Sequence, residues 1–147
     1  MLQKIFGAII DLLIYLIKLP FSGTGKSNYG ISSETVTLIE KEWVSINTDL
    51  KNHSPAVLKS ALIKADKSLD NLLKEITSGN TMGERMISGK NKFSPEVYSA
   101  IWSGHKVRNS MVHDSGFEPS YVVLVKAIED LRKGVRELGV KAWRNII

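Results

Sequence analysis

The residue types best suited to chemistry fall in one stretch, Gly104-His105-Lys106-Val107-Arg108-Asn109-Ser110-Met111-Val112-His113-Asp114. Arginine presents a planar fork that matches phosphate oxygens. Histidine moves a proton near neutral pH. Arg108 and His113 converging on one point would therefore suit phosphoryl chemistry. RNA cleavage by such a pair needs no metal, because a deprotonated 2′-hydroxyl attacks the neighbouring phosphate. Residues five apart on an α-helix are rotated by about 500°, or about 140° past a full turn. The two share a face only if the helix ends between them, and Asp114-Ser115-Gly116 supplies a nearby end. A plainer reading stands beside this one. Arg108 would balance the helix dipole or pair with Asp114, and His113 would cap the helix end.

The elements that must position these residues read as all helix. Ser32 or Ser33 caps a helix starting near Glu34, with Val36, Ile39, Trp43, Ile46 and Leu50 as its apolar stripe. Pro55 fits the first turn of a second helix, which carries Leu58, Leu62, Ala65, Leu69, Leu72 and Ile76 at helical spacing. Thr81 with Glu84 forms a capping-box pattern for a short helix that ends at Gly89, and Lys90-Asn91-Lys92 follows as a turn. Ser94-Pro95-Glu96 opens the helix that carries Arg108. Pro119 opens the last long helix, and Gly139 ends it before an amphiphilic tail. Four longer helices and one short one, joined by short loops, predict an up-and-down bundle.

The amino-terminal stretch is different. Residues 2–21 are nearly all apolar, broken by Lys4, Asp11 and Lys18, and no polar stripe faces water. About 20 residues suffice to cross a bilayer. A membrane anchor, spanning or lying in the interface, is the leading reading, with Asp11 the objection to a full span. A cleaved secretory signal and a buried core helix are the alternatives. The expected organisation is an anchor helix over 1–21, a Gly/Ser linker over 22–32, a bundle over 33–139 and a tail over 140–147. Gly25-Lys26-Ser27 matches the end of a phosphate-binding loop, but Leu19-Pro20 stands where its first glycine should fall. Nucleotide binding is not expected there.

Composition narrows the chemistry further. The chain has no cysteine and three histidines, which excludes disulfides, thiol catalysis and cysteine-held metal sites. No cofactor or metal is expected. Its formal charge of +5 is mildly basic. A mean hydropathy of −0.06 averages an apolar leader with a polar bundle.

Arg108-Asn109-Ser110-Met111-Val112-His113 resembles the hallmark of the HEPN superfamily of helical bundles: an arginine, four to six residues, then a histidine, with a polar residue often directly after the arginine. The likeness extends to the motif's place in the helix before the last one. Thr81-Met82-Gly83-Glu84-Arg85, His105-Lys106-Val107-Arg108-Asn109 and Val112-His113-Asp114 are similar to small bacterial proteins of that superfamily, some with an amino-terminal hydrophobic segment. The resemblance covers about Ser33 to Leu138. It implies a bundle that often dimerises, bringing two Arg/His motifs into one cleft, which in active members is a metal-independent endoribonuclease site. By match, Arg108 would hold the phosphate, His113 would act as acid or base, and Asn109 would orient the site.

Lys106, Arg85 and Lys92 are the cations expected to meet an RNA backbone, with Arg85 read as a surface residue. His105 reads as a partly buried polar residue, His53 as a loop residue, and Trp43 and Trp102 as core. Trp143 reads as a tail residue able to anchor at an interface. The sequence thus predicts a membrane-anchored, homodimeric bundle on the cytoplasmic side that binds or cuts RNA. The alternative is a membrane-tethered protein-interaction module of the same fold without catalysis.

Overall fold

The structure is a computed structural model and describes residues 29–143. The expected anchor over residues 1–21 and most of the linker lie outside the described residues. Five α-helices and one 3-10 turn follow in order: α1 (Ser33–Asp49), α2 (Pro55–Ile76), α3 (Met82–Ser88), the turn Lys90–Lys92, α4 (Pro95–His113) and α5 (Tyr121–Glu137). Among the described residues there is no strand. None of these helices is long and apolar enough to cross a membrane.

The helix starts are set by local chemistry. The hydroxyls of Ser32, Ser94 and Ser120 accept from the backbone N–H three residues on, and Thr81 and Glu84 complete a reciprocal capping box. Each cap satisfies N–H groups that have no partner inside the helix, and losing one costs about 1 kcal/mol. Pro119 does not open the last helix as expected. Its ring precedes the capping Ser120, and α5 begins at Tyr121. Gly139, at φ +87°, takes the left-handed conformation that ends α5.

Helices α1 and α2 run antiparallel, as three cross-links along their length record. Lys64 pairs with Asp49 at 2.9 Å, Trp43 Nε1 donates to Ser68 Oγ at 3.0 Å, and Ser32 N donates to Glu75 at 2.7 Å. Helices α4 and α5 are also antiparallel, and two glycines let them close in. A Cβ at Gly104 would stand 2.8 Å from the Ala127 carbonyl oxygen, and one at Gly134 would stand 2.6 Å from Ile101. Alanine at either place would drive the helices apart. Helix α2 is central, touching α1, α3, α4 and α5. Its Leu58, Leu62, Leu69, Leu72 and Leu73 are fully buried with Trp43, Ile101, Leu124 and Ile128.

The packing does not stop at Gly139. Val140 and Ala142 are buried, Arg132 Nη1 donates to the Ala142 carbonyl at 2.7 Å, and Asn47 Nδ2 donates to the Trp143 carbonyl at 2.6 Å. Trp143 itself is exposed, with the Arg136 guanidinium over its ring at 4.2 Å.

Candidate functional site

One residue that the sequence reading did not single out lies at the centre of the site. Asp66 follows Leu62 by four residues and precedes Leu69 by three, so it sits on the buried face of α2. Its side chain is 6% exposed. A carboxylate there requires partners, because an unpaired buried charge is strongly unfavourable. Helix α4 supplies them. His105 Nδ1 lies 2.8 Å from Asp66 Oδ1, and Arg108 Nε lies 3.5 Å from Oδ2. A lone acid on a helix's apolar stripe was the signal that could have found it.

Asn109 closes the ring. Arg108 Nη1 donates to Asn109 Oδ1 at 3.0 Å, and Asn109 Nδ2 lies 3.1 Å from His105 Nε2. The donors fix the protons. A guanidinium only donates, so the Asn109 oxygen faces Arg108 and its NH2 donates to His105 Nε2. The imidazole is then neutral, with its proton on Nδ1, where it donates to Asp66. His105 is thus a polar residue as expected but buried rather than partly so, and it connects α2 with the motif.

This cluster forms part of the lining of an open cleft of about 630 Å³ between α2, α4 and the start of α3. That lies in the size range of ligand clefts. Trp102, Lys106, Asn109 and His113 line it at steps of four, three and four residues along α4, and Lys67 and Ile63 of α2 face them. Lys67 also stands near Glu42, whose carboxyl is pushed up by burial and drawn back down by Lys67 and Lys64.

Helix α4 continues through His113, so it does not end between Arg108 and His113 as the shared-face argument required. The cleft brings the two residues together instead, His113 on the stripe and Arg108 just inside it. No hydrogen bond joins them, and the exposed His113 has no polar partner among the described residues. Arg108 pairs with Asp66 rather than Asp114. Its Nε is a buried nitrogen with no hydrogen bond, and its Nη2 has no acceptor among the described residues. Nε thus faces Asp66 out of reach of solvent, and Nη2 is the donor left without an acceptor in a residue that lines the cleft.

The expected basic residues separate. Lys106 is exposed and lines the cleft. Arg85 is not a surface cation. It is buried, donating from Nε and Nη2 to Asp70 at 2.7 and 3.1 Å and from Nη1 to the Gly79 carbonyl at 2.8 Å. Lys92 lies away from the cleft with its ammonium 5.8 Å from the Tyr29 ring centre. Trp43 is core, whereas Trp102 is half-buried and faces the cleft.

Comparison of the chain with protein-family models, with curated proteins and with solved structures gives no match. The fold and site together define an all-helical bundle with a cleft of mixed polar and apolar lining, beside which an Asp–His pair and an asparagine hold a partly exposed arginine.

Proposed function

We propose that the cleft is an RNA phosphodiester site in a HEPN-like bundle, and that it cleaves RNA without a metal ion. The observation that carries this reading is Arg108. Its Nη1 is held by Asn109 and its buried Nε faces Asp66, yet Nη2 keeps no acceptor among the described residues, in the cleft that also holds the exposed His113. In this reading Arg108 binds the non-bridging phosphate oxygens, and Lys106 meets an adjoining phosphate. His113 moves the proton. The base takes the 2′-hydroxyl proton, the 2′-oxygen bonds to phosphorus, and the 5′-oxygen leaves with a proton from the acid. The products are a 2′,3′-cyclic phosphate and a 5′-hydroxyl end. A homodimer would supply a second His113, so that base and acid come from different copies. The anchor belongs to the same proposal. It rests on the apolar sequence of residues 2–21 and would hold the bundle at the cytoplasmic face of a membrane.

The second reading, an interaction module without catalysis, has its own observation. Val112, Phe117, Tyr121 and Val122 expose apolar surface where α4 passes into α5. One experiment separates the two. The full-length chain in detergent is incubated with mixed-sequence RNA in EDTA, beside His113→Ala and Arg108→Ala. Cleavage by the parent that falls at least about 100-fold in each variant supports the nuclease. A folded parent that leaves RNA intact, or variants that cut as well as the parent, leaves the interaction module.

A further inference from the structure

The stripe on α4 begins with an aromatic ring. From Trp102 to His113 it runs eleven residues, about 16 Å of helix. Along it the order is indole, ammonium, amide and imidazole: Trp102, Lys106, Asn109 and His113, with the Arg108 guanidinium alongside. The indole is held by edge-type contacts on its own helix, to Tyr98 at 6.3 Å and 84° and to His105 at 6.1 Å and 71°. Its position is therefore tied to the cluster that fixes Arg108. On the α3 side residue 83 is glycine. A Cβ there would lie 3.6 Å from Trp102 Cη2, in ordinary contact with the ring edge, so a branched side chain would crowd the ring from the α3 side.

We infer that the cleft takes single-stranded RNA, with one base stacked against Trp102 and the adjoining phosphate on Arg108. This rests on the reading of the cleft as an RNA site and narrows it to a strand whose bases are free. Trp102 and Arg108 are six residues apart, about 9 Å along the helix axis and about 120° around it, and both line the one cleft. A base in a duplex is already stacked on both faces and cannot turn toward the indole. An unpaired base can, and stacking on an aromatic side chain is sequence-tolerant because every base has a π-face. Lys106, one turn from Trp102, meets the backbone between them.

The test is a binding measurement on the full-length chain in detergent. The probes are dye-labelled octamers of 2′-O-methyl RNA, which lack the attacking hydroxyl and stay intact. The octamer is used single-stranded, annealed to its complement, and with abasic positions throughout, next to free adenosine monophosphate as competitor. The parent is expected to bind the single strand about tenfold more tightly than the duplex or the abasic strand. Trp102→Ala should bring the single strand down to the abasic level and weaken the abasic strand far less than the single strand. Trp102→Phe, which keeps a ring, should fall between. Should Trp102→Ala fail to fold, Gly83→Val crowds the ring edge instead and should give a selective loss in the same direction.

Equal affinity of the parent for single-stranded and abasic octamers overturns the stacking role while leaving an RNA site. Equal losses for both probes in Trp102→Ala and in Gly83→Val do the same. Monophosphate competing as well as the octamer overturns the strand in favour of a mononucleotide. A folded parent that binds none of the octamers overturns the RNA reading itself.

Discussion

Arg132 and Arg108 belong to the same bundle and are held in opposite ways. Every nitrogen of Arg132 is hydrogen-bonded: Nε to Glu129, Nη1 to the Ala142 carbonyl, Nη2 to Asn47 and Glu129. Its plane also stacks on Trp43 at 4.6 Å. Arg85 is likewise bonded at all three nitrogens. The side chains of these two are 4% and 9% exposed, whereas that of Arg108 is 29% exposed and bonded through Nη1 alone. A guanidinium with every donor satisfied ties elements together. One held at a single nitrogen with a donor open is prepared for an acceptor that arrives from outside. The two arginines thus differ in the acceptors around them as well as in burial.

Arg132→Ala attacks the closed side of the comparison and should have the largest effect on stability. It removes the guanidinium that donates to Asn47, Glu129 and the Ala142 carbonyl. The expected loss is about 3 kcal/mol in urea unfolding, the scale for breaking one partner out of a buried pair. A loss below about 1 kcal/mol would place Arg132 with Arg108.

Arg108→Lys attacks the open side. Lysine keeps the charge but loses the fork that Asn109 orients. Cleavage of RNA should fall about 100-fold, while the urea midpoint shifts by less than the equivalent of about 1 kcal/mol. Full activity with lysine would show that charge suffices and that the fixed plane is irrelevant.

Asp66→Asn sharpens the comparison from beneath. It removes the anion that holds both His105 and Arg108, with little change in volume. Cleavage should drop about tenfold, the lower end of what positioning residues contribute. The His105 ring should also lose its single Nδ1-protonated tautomer in nitrogen NMR spectra. A drop in cleavage with the tautomer unchanged would remove His105 from the chain of positioning contacts.

The smallest effect concerns an ion-free contrast at the far end of α2. The Glu75 carboxylate accepts from the Thr35 hydroxyl and from the Ser32 backbone and hydroxyl, which holds its pKa below the ordinary 4.5. A lowered folded-state value means that this contribution is complete above about 4.5 and disappears as the pH falls through the lowered value. Glu75→Gln should therefore weaken the chain slightly at neutral pH and flatten its acid unfolding limb. An acid limb identical in the two proteins would assign the hydrogen bonds no part in holding α1. Because Glu75 is largely exposed, water screens it far more than Asp66.

How much was legible follows from where each signal resides. Helix starts are written in neighbouring residues, so Ser32, Ser94 and the Thr81–Glu84 box are readable along the chain. Pro119 misled because proline suits both the first turn of a helix and the residue before a cap. Gly104 and Gly134 carry no local sign of their purpose, since the atoms they avoid come from the facing helix. Arg85 looked like a surface cation because Asp70, its acceptor, lies fifteen residues away on another helix.

The sequence by itself determined an all-helical bundle, the one helix that carries Arg108, Asn109 and His113, and the absence of thiol chemistry, because helical period, capping and composition act over a few residues. Only the tertiary structure decided which side chains surround the motif. It placed Asp66 under His105 and Arg108, 39 residues from the former, set Trp102 and Lys106 along the same cleft, and withdrew Arg85 and Lys92 from it. The physical reason is that a hydrogen bond or ion pair depends on distance in space. Periodicity states which face of a helix is buried, but the packing of α2 against α4 chooses the partner that each buried charge meets.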